Sequence, residues 1–308
     1  MDLSTFVQLF TWPLIALGLV ALTAPVVGAF LVARGTAFHG IALPQVAAFG
    51  VAVGFALLPF VQDLPWTVAG DGHSHGSAEP SRGYLALCAA VFVVAALGLF
   101  ETRRGRGGRG DQGATVAATF AIASGGTALA AQLSPLGGIH VGALLGGETL
   151  STGPFDAAVL GGVALLVLAA TIAGWRPITL AGLDPEYARA AGKRPRLADL
   201  TLHAMTAVLV IAGSLTVGAL PMFALLVIPA MVVRDRSASM ARFLVAAPAL
   251  GLASASVGAG LAFRFDLSMD ASVVAGCVLA GGGAGLGGAL LAVRRRARSS
   301  VSNSSASD

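Results

Sequence analysis

Charge is the scarcest property of this chain. Asp, Glu, Lys and Arg make up 11% of its 308 residues, against about 25% in soluble domains, and that deficit excludes an ordinary soluble globular protein. Cysteine is almost missing too: Cys88 and Cys277 both lie inside apolar stretches and read as small buried residues rather than as a disulfide or a metal pair. Catalytic signatures are lacking. The Gly-Lys of "AAGKRP" has neither the glycine spacing nor the Ser/Thr of a phosphate-binding loop; no H-E-x-x-H occurs, and the G-x-S-x-G match "GHSHG" at 72–76 lies in a Gly- and Ser-rich connection, away from the strand-to-helix turn that a nucleophile elbow needs. Paired carboxylates, or a nucleophile with its base, do not appear at catalytic spacing. The chain therefore does not read as an enzyme, and nothing in it reads as hydrolysing nucleotide. The opening "MDLSTF" has no basic n-region, and the apolar run from Leu3 to Ala33 outlasts a signal-peptide core, so it is read as a retained first helix.

What remains is apolar. Hydrophobic residues reach 56% and mean hydropathy is +0.83, as expected of an all-α, polytopic membrane protein. A span needs about 20 apolar residues, and candidates fall near 8–33, 39–60, 84–100, 114–132, 155–174, 198–217, 219–234, 242–264 and 271–293. That gives about nine transmembrane helices, or eight to nine, in a single transmembrane domain over 1–298, with 299–308 as a disordered cytoplasmic tail. Glycine supplies 41 residues, and the four-residue repeats Gly281, Gly285 and Gly283, Gly287 suit close helix approach, where no hydrophobic effect drives association. No internal repeat stands out.

The net charge of +4 reports topology and not a nucleic-acid partner. All but Arg82 and Arg264 of the 19 Lys and Arg residues fall in alternate connections, which assigns that larger set to the cytoplasm. The stretch between Arg196 and Arg234 must then cross an even number of times, with its turn near "GSLTVGALP". The N-terminus is expected outside and the C-terminus inside.

Two connections carry content. The external one, "VQDLPWTVAGDGHSHGSAEPSRGY", holds His73 and His75 with Asp71 and Glu79 nearby, an element that can collect metal weakly, although two histidines supply only part of a zinc shell. A plain flexible loop explains it equally well. The internal one contains "LDPEYARAAG", where Asp184 is a helix N-cap, Pro185 takes the first helical position and Gly192 stands near the end. Glu186 and Arg189 are within i,i+3 reach, Tyr187 lies between them, and Ala188 and Ala191 give a flank of little bulk. Such a short, separately oriented helix suits docking into another protein; the alternative is a solvated connector. Asp199 and His203 are four apart at the basic end of the sixth span, on one helix face, and ionisable groups within spans usually face a partner or a cavity. His140 and Glu148 precede the fifth span and read as a satisfied polar pair at the membrane edge.

Three of these segments together carry a resemblance. "DPEYARAAG", "GSLTVGALPMFALLVIPAMVVR" and "HGIALPQVAAFGVAVG" resemble the zinc/manganese/iron permease family of bacterial ABC importers, over residues 12 to 293. The resemblance implies a homodimeric pore embedded in lipid, a separate cytoplasmic ABC ATPase docked on Asp184, Glu186, Tyr187, Ala188, Arg189, Ala191 and Gly192, and an extracytoplasmic metal-binding protein. It implies no covalently bound cofactor, only a transported divalent metal, zinc foremost. Where the family has Gly-Asp-Ala-Leu-Ser-His, Gly40, Ala42 and Leu43 match, but Ile41 replaces the aspartate, Pro44 the serine and Gln45 the histidine. An amide is a weak partner for a transition metal, yet Gln45 is placed toward the pathway because a buried amide needs partners and Pro44 frees a carbonyl one turn back.

The resulting expectation is an ATP-driven permease for zinc, with manganese or iron as alternatives and Asp199, His203, Gln45, His73 and His75 as pathway or collecting residues. A proton-coupled metal transporter and an ABC permease for a metal chelate or cofactor are the rivals. Charge asymmetry makes a direct prediction: a cysteine at Ser77 should react with a membrane-impermeant maleimide in intact cells, and one at Gly107 should not. Reversed labelling would invert the topology.

Overall fold

The apolar runs become helices almost one for one in a computed structural model, which describes residues 10–61, 63–64, 66–67, 80–104, 109–133 and 152–285. The helices are α1 (Thr11–Ala33), α2 (His39–Val61), α3 (Arg82–Arg104), α4 (Arg109–Leu133) and α5 (Pro154–Leu183), then the short α6 (Pro185–Ala190), and α7 (Pro195–Thr216), α8 (Ala219–Arg234) and α9 (Met240–Phe265). Met269–Gly285 forms α10. Seven are long and apolar enough to span a bilayer, with α8 and α10 shorter, so the described residues bear out a bundle of about nine.

Tertiary contacts fix the direction of each helix. Arg34 at the end of α1 meets Asp199 at the start of α7, His203 of α7 meets Glu101 at the end of α3, and Arg236 after α8 donates to the Gly285 carbonyl at 3.1 Å. At the opposite end Arg82 of α3 pairs with Asp156 of α5, and Thr152 donates to the Thr216 carbonyl at 3.0 Å. The helices thus alternate in direction and most arginines share one end. The turn between α7 and α8 falls at Val217–Gly218 on the other end, with Gly218 at φ +93°, as the charge pattern requires.

α1 is the most enclosed long helix: Val20, Ala24 and Val27 are fully buried, and it lies against α5, α8 and α9. Its contact with α8 depends on a missing side chain, since a Cβ at Gly28 would stand 1.7 Å from the Leu226 carbonyl oxygen. α9 and α10 meet in the same way, a Cβ at Gly276 falling 2.3 Å from the Ser254 carbonyl oxygen. The glycine repeat expected to make such contacts does so only in part. Gly281 faces Val232 and Ile228, whereas Gly283 faces open space; Gly287 lies outside the described residues.

One expected boundary is wrong. The connection predicted to begin at Trp175 is helical, because α5 runs 30 residues to Leu183, about 45 Å at 1.5 Å per residue, against a hydrocarbon core of roughly 30 Å. Pro177 sits inside it; its ring fixes φ at a value a helix accepts, and the loss is one backbone hydrogen bond. The 299–308 tail, His73, His75, Asp71, Glu79, His140 and Glu148 lie outside the described residues.

Gly28→Leu should therefore force α1 and α8 apart and exceed the ~1–3 kcal/mol of ordinary overpacking, lowering the melting temperature of the detergent-solubilised protein and broadening its elution. Gly18→Leu, on the same helix with nothing within 4 Å, should leave both unchanged.

Candidate functional site

Five helix ends meet at the basic end of the bundle. α1 stops because Gly35 takes φ +71°, a left-handed conformation that glycine accepts without strain, and the chain turns there so that the Arg34 side chain folds inward, only 4% exposed. Its Nη1 meets the Asp199 carboxylate across 165 residues of sequence, and its Nη2 donates to the Ile178 carbonyl of α5 at 2.7 Å. The stem lies in a notch left by Gly182, where a Cβ would come within 2.5 Å of Arg34 Nε and 2.6 Å of Cγ. A buried guanidinium is tolerable only when paired and hydrogen-bonded, and Asp199 with Ile178 meets that condition.

One turn along α7, His203 Nε2 lies 3.3 Å from Glu101 Oε1. Phe100, beside Glu101, stacks on buried His39 at the start of α2, ring centroids 4.7 Å apart and planes 12° from parallel. A cavity of about 470 Å³ opens alongside, lined in part by Arg34, Thr36, Phe38, His39, Leu183 and Arg234. The site thus joins two carboxylates, two imidazoles and a guanidinium.

Asp199 and His203 do share one face, as their spacing predicts, but they do not converge on one point. Each has a partner from another helix, and among the described residues no three His, Cys, Asp or Glu side chains stand close enough together to hold a metal ion. Two carboxylates and an imidazole are nonetheless suitable ligands for a borderline divalent cation. To share one, Glu101 and His203 would keep their proximity and Asp199 would leave Arg34.

Gln45 and Ile41 are half-buried on one face of α2, and among the described residues no hydrogen bond joins Gln45 to Asp199 or His203. Sequence reasoning missed Glu101, although an acidic residue ending the apolar run "VFVVAALGLFETRR" was a usable signal. The partner of Arg34 and the stacking of His39 have no counterpart in local pattern.

Beyond α5 the chain forms the short helix that Asp184 was expected to start. The Asp184 carboxylate accepts from Glu186 N at 3.1 Å and Tyr187 N at 2.9 Å, while Gly192 at φ +71° closes the other end. Tyr187 is 60% exposed, but Ala188 is fully buried. Ala188 packs into its own bundle and cannot face a docking partner, a correction to the expected surface. The short helix leans against α5 and α7, and of its two alanines Ala188 faces them while Ala190 stays exposed. Asp184, Glu186, Arg189, Ala191 and Gly192 remain exposed.

No curated protein matches the chain. Among solved structures, PsaBC from Streptococcus pneumoniae in complex with Fab superposes with a TM-score of 0.72 at 17% identity, covering 92% of this chain and 95% of that one. An inward-facing conformation of a metal-chelate type ABC transporter gives 0.66 at 16% identity, covering 94% and 89%. Both likenesses are of fold. The ABC 3 transport family matches residues 7–280, nearly all of the helical bundle, and the chain belongs to that family.

Proposed function

We propose that the chain is the permease subunit of an ATP-driven importer for a divalent transition metal, with zinc the leading cargo and manganese or iron the alternatives. The observation that carries this reading is the set Glu101, Asp199 and His203 at the basic end of an ABC 3 family bundle. Carboxylate and imidazole donors suit these metals, and ionisable groups of spans that pair with one another inside a bundle mark ion pathways. The basic end faces the cytoplasm by the positive-inside rule, so these residues hold the last step before release. Asp184, Glu186, Tyr187, Arg189, Ala191 and Gly192 form the surface for a separate ABC ATPase. A second copy of the chain completes the pore, and an extracytoplasmic protein delivers metal to the opposite end, where His73 and His75 can receive it.

A second reading has its own support. Ile41 and Gln45 remove two donors from α2, and one structure of the same fold is described as a metal-chelate type transporter. A cargo that brings its own ligands needs fewer from the protein.

With the ATPase in proteoliposomes, ATP should drive accumulation of free Zn²⁺ or Mn²⁺, and collapsing the proton gradient should leave it intact. His203→Ala and Glu101→Gln should reduce the rate at least about tenfold, since losing even an outer-shell partner of a metal ligand costs about 10- to 100-fold, while Gln45→Ala should weaken it less. Uptake of a chelate but not of the free ion would select the second reading. Normal transport by His203→Ala would leave that side chain to packing.

Docking is tested separately. Ala191 is exposed, so Ala191→Trp should insert and fold normally, yet strain a close interface by about 1–3 kcal/mol. The permease should then fail to co-purify with its ATPase or to support metal-dependent growth. An intact, active complex would make α6 a connector only.

A further inference from the structure

Arg34 is as much a part of this site as the acidic residues, and no metal pathway needs a fixed cation. Its position is nevertheless built: the Gly35 turn aims it inward, the Gly182 notch accommodates its stem, the Ile178 carbonyl holds Nη2 and Asp199 holds Nη1. Asp199 is the one acidic member of the α7 face, and the guanidinium occupies it. Resting on the metal reading above, we propose that Arg34 is a tethered counter-cation that competes with the transported metal for Asp199 and so weakens the inward-end site for release.

Charge counting gives the direction. A divalent cation held by the carboxylates of Glu101 and Asp199, with His203 neutral, makes a neutral cluster. Add Arg34, which stays protonated in any protein, and the occupied site carries a net positive charge whose guanidinium part is buried, 4% exposed. If Asp199 turns to the metal, Arg34 is left buried with only a carbonyl for Nη2, and Nε, already without a hydrogen-bond partner, gains none. An uncompensated buried cation is strongly unfavourable. Metal and guanidinium are therefore negatively coupled through one carboxylate, and reciprocity requires that a metal which captures Asp199 loosens Arg34 by the same factor. Loosening Arg34 frees the end of α1 from α5 and α7 together.

The test uses the full permease–ATPase complex without nucleotide and measures binding of Zn²⁺ or Mn²⁺ alone by equilibrium dialysis, followed by the rate of metal release in proteoliposomes. Arg34→Gln, which removes the charge but keeps a donor, should bind metal about tenfold more tightly, within the 5- to 150-fold range of coupled sites, and should release it more slowly. Arg34→Lys should lie closer to wild type than to Arg34→Gln. In Arg34→Gln/Asp199→Asn the gain should vanish. Gly182→Val keeps the arginine but displaces its stem, and should raise affinity in the same sense if Arg34→Gln proves too unstable to purify. A structural role for Arg34 predicts no gain of affinity in any variant, so unchanged or weaker binding by folded Arg34→Gln and Gly182→Val overturns the proposal. Wild-type complex that binds neither ion removes the metal reading, and the role of Arg34 with it.

Discussion

The bundle is arranged around a helix that its neighbours enclose for most of its length. α1 is enclosed by α5, α8 and α9, and it can be because one position facing α8 has no side chain. With lipid tails as apolar as leucine, helix association in a bilayer relies on close van der Waals contact between small residues, and the meeting of Gly28 with the Leu226 carbonyl is the tightest instance here. The placement of α1 sets that of its last residue. Arg34 reaches Asp199 and Ile178 only because α1 runs through the middle of the fold and not along its edge.

The polar end follows from the same constraint. Hydrocarbon tolerates no unsatisfied groups, so the ionisable residues of α1, α3 and α7 are gathered where the spans end and are matched in pairs, Arg34 with Asp199 and Glu101 with His203. Matching gives each charged group a partner and, in the proposed reading, makes occupancy by a cation an exchange of partners. The opposite end has a simpler pair, Arg82 with Asp156, which joins the starts of α3 and α5. Polar pairing therefore serves cohesion at one end and, in the proposed reading, cargo handling at the other.

Much of the fold was legible because the signals were long or categorical. Runs of apolar residues give spans, the sign of loop charges gives direction, and two basic flanks demanded the turn that Val217 and Gly218 supply. The Asp184–Pro185 start was readable because an N-cap is a local event. α5 was not read to its true end, since Arg176 and Pro177 look like a loop: an interior proline ordinarily costs about 3 kcal/mol, but membrane spans tolerate one where neighbouring groups re-satisfy the freed backbone. Ala188 was misassigned for a different reason: six residues make less than two turns, too few for sequence to show which side is buried. At the site, the shared face of Asp199 and His203 follows from helical spacing, but the partners chosen by each side chain come from helices distant in sequence. No local pattern encodes those choices.

The unbroken length of α5 has a mechanical consequence. Its final two turns carry Ile178 and Gly182, the carbonyl and the notch that hold Arg34, and α6 begins one residue after its end, with the Asp184 amide still bonded to the Leu180 carbonyl at 3.0 Å. Asp184 is the one non-helical residue between the end of α5 and the start of α6. In the proposed reading, a torque applied to α6 by a docked ATPase would reach the seat of the arginine as to the short arm of a crank, within two helical turns.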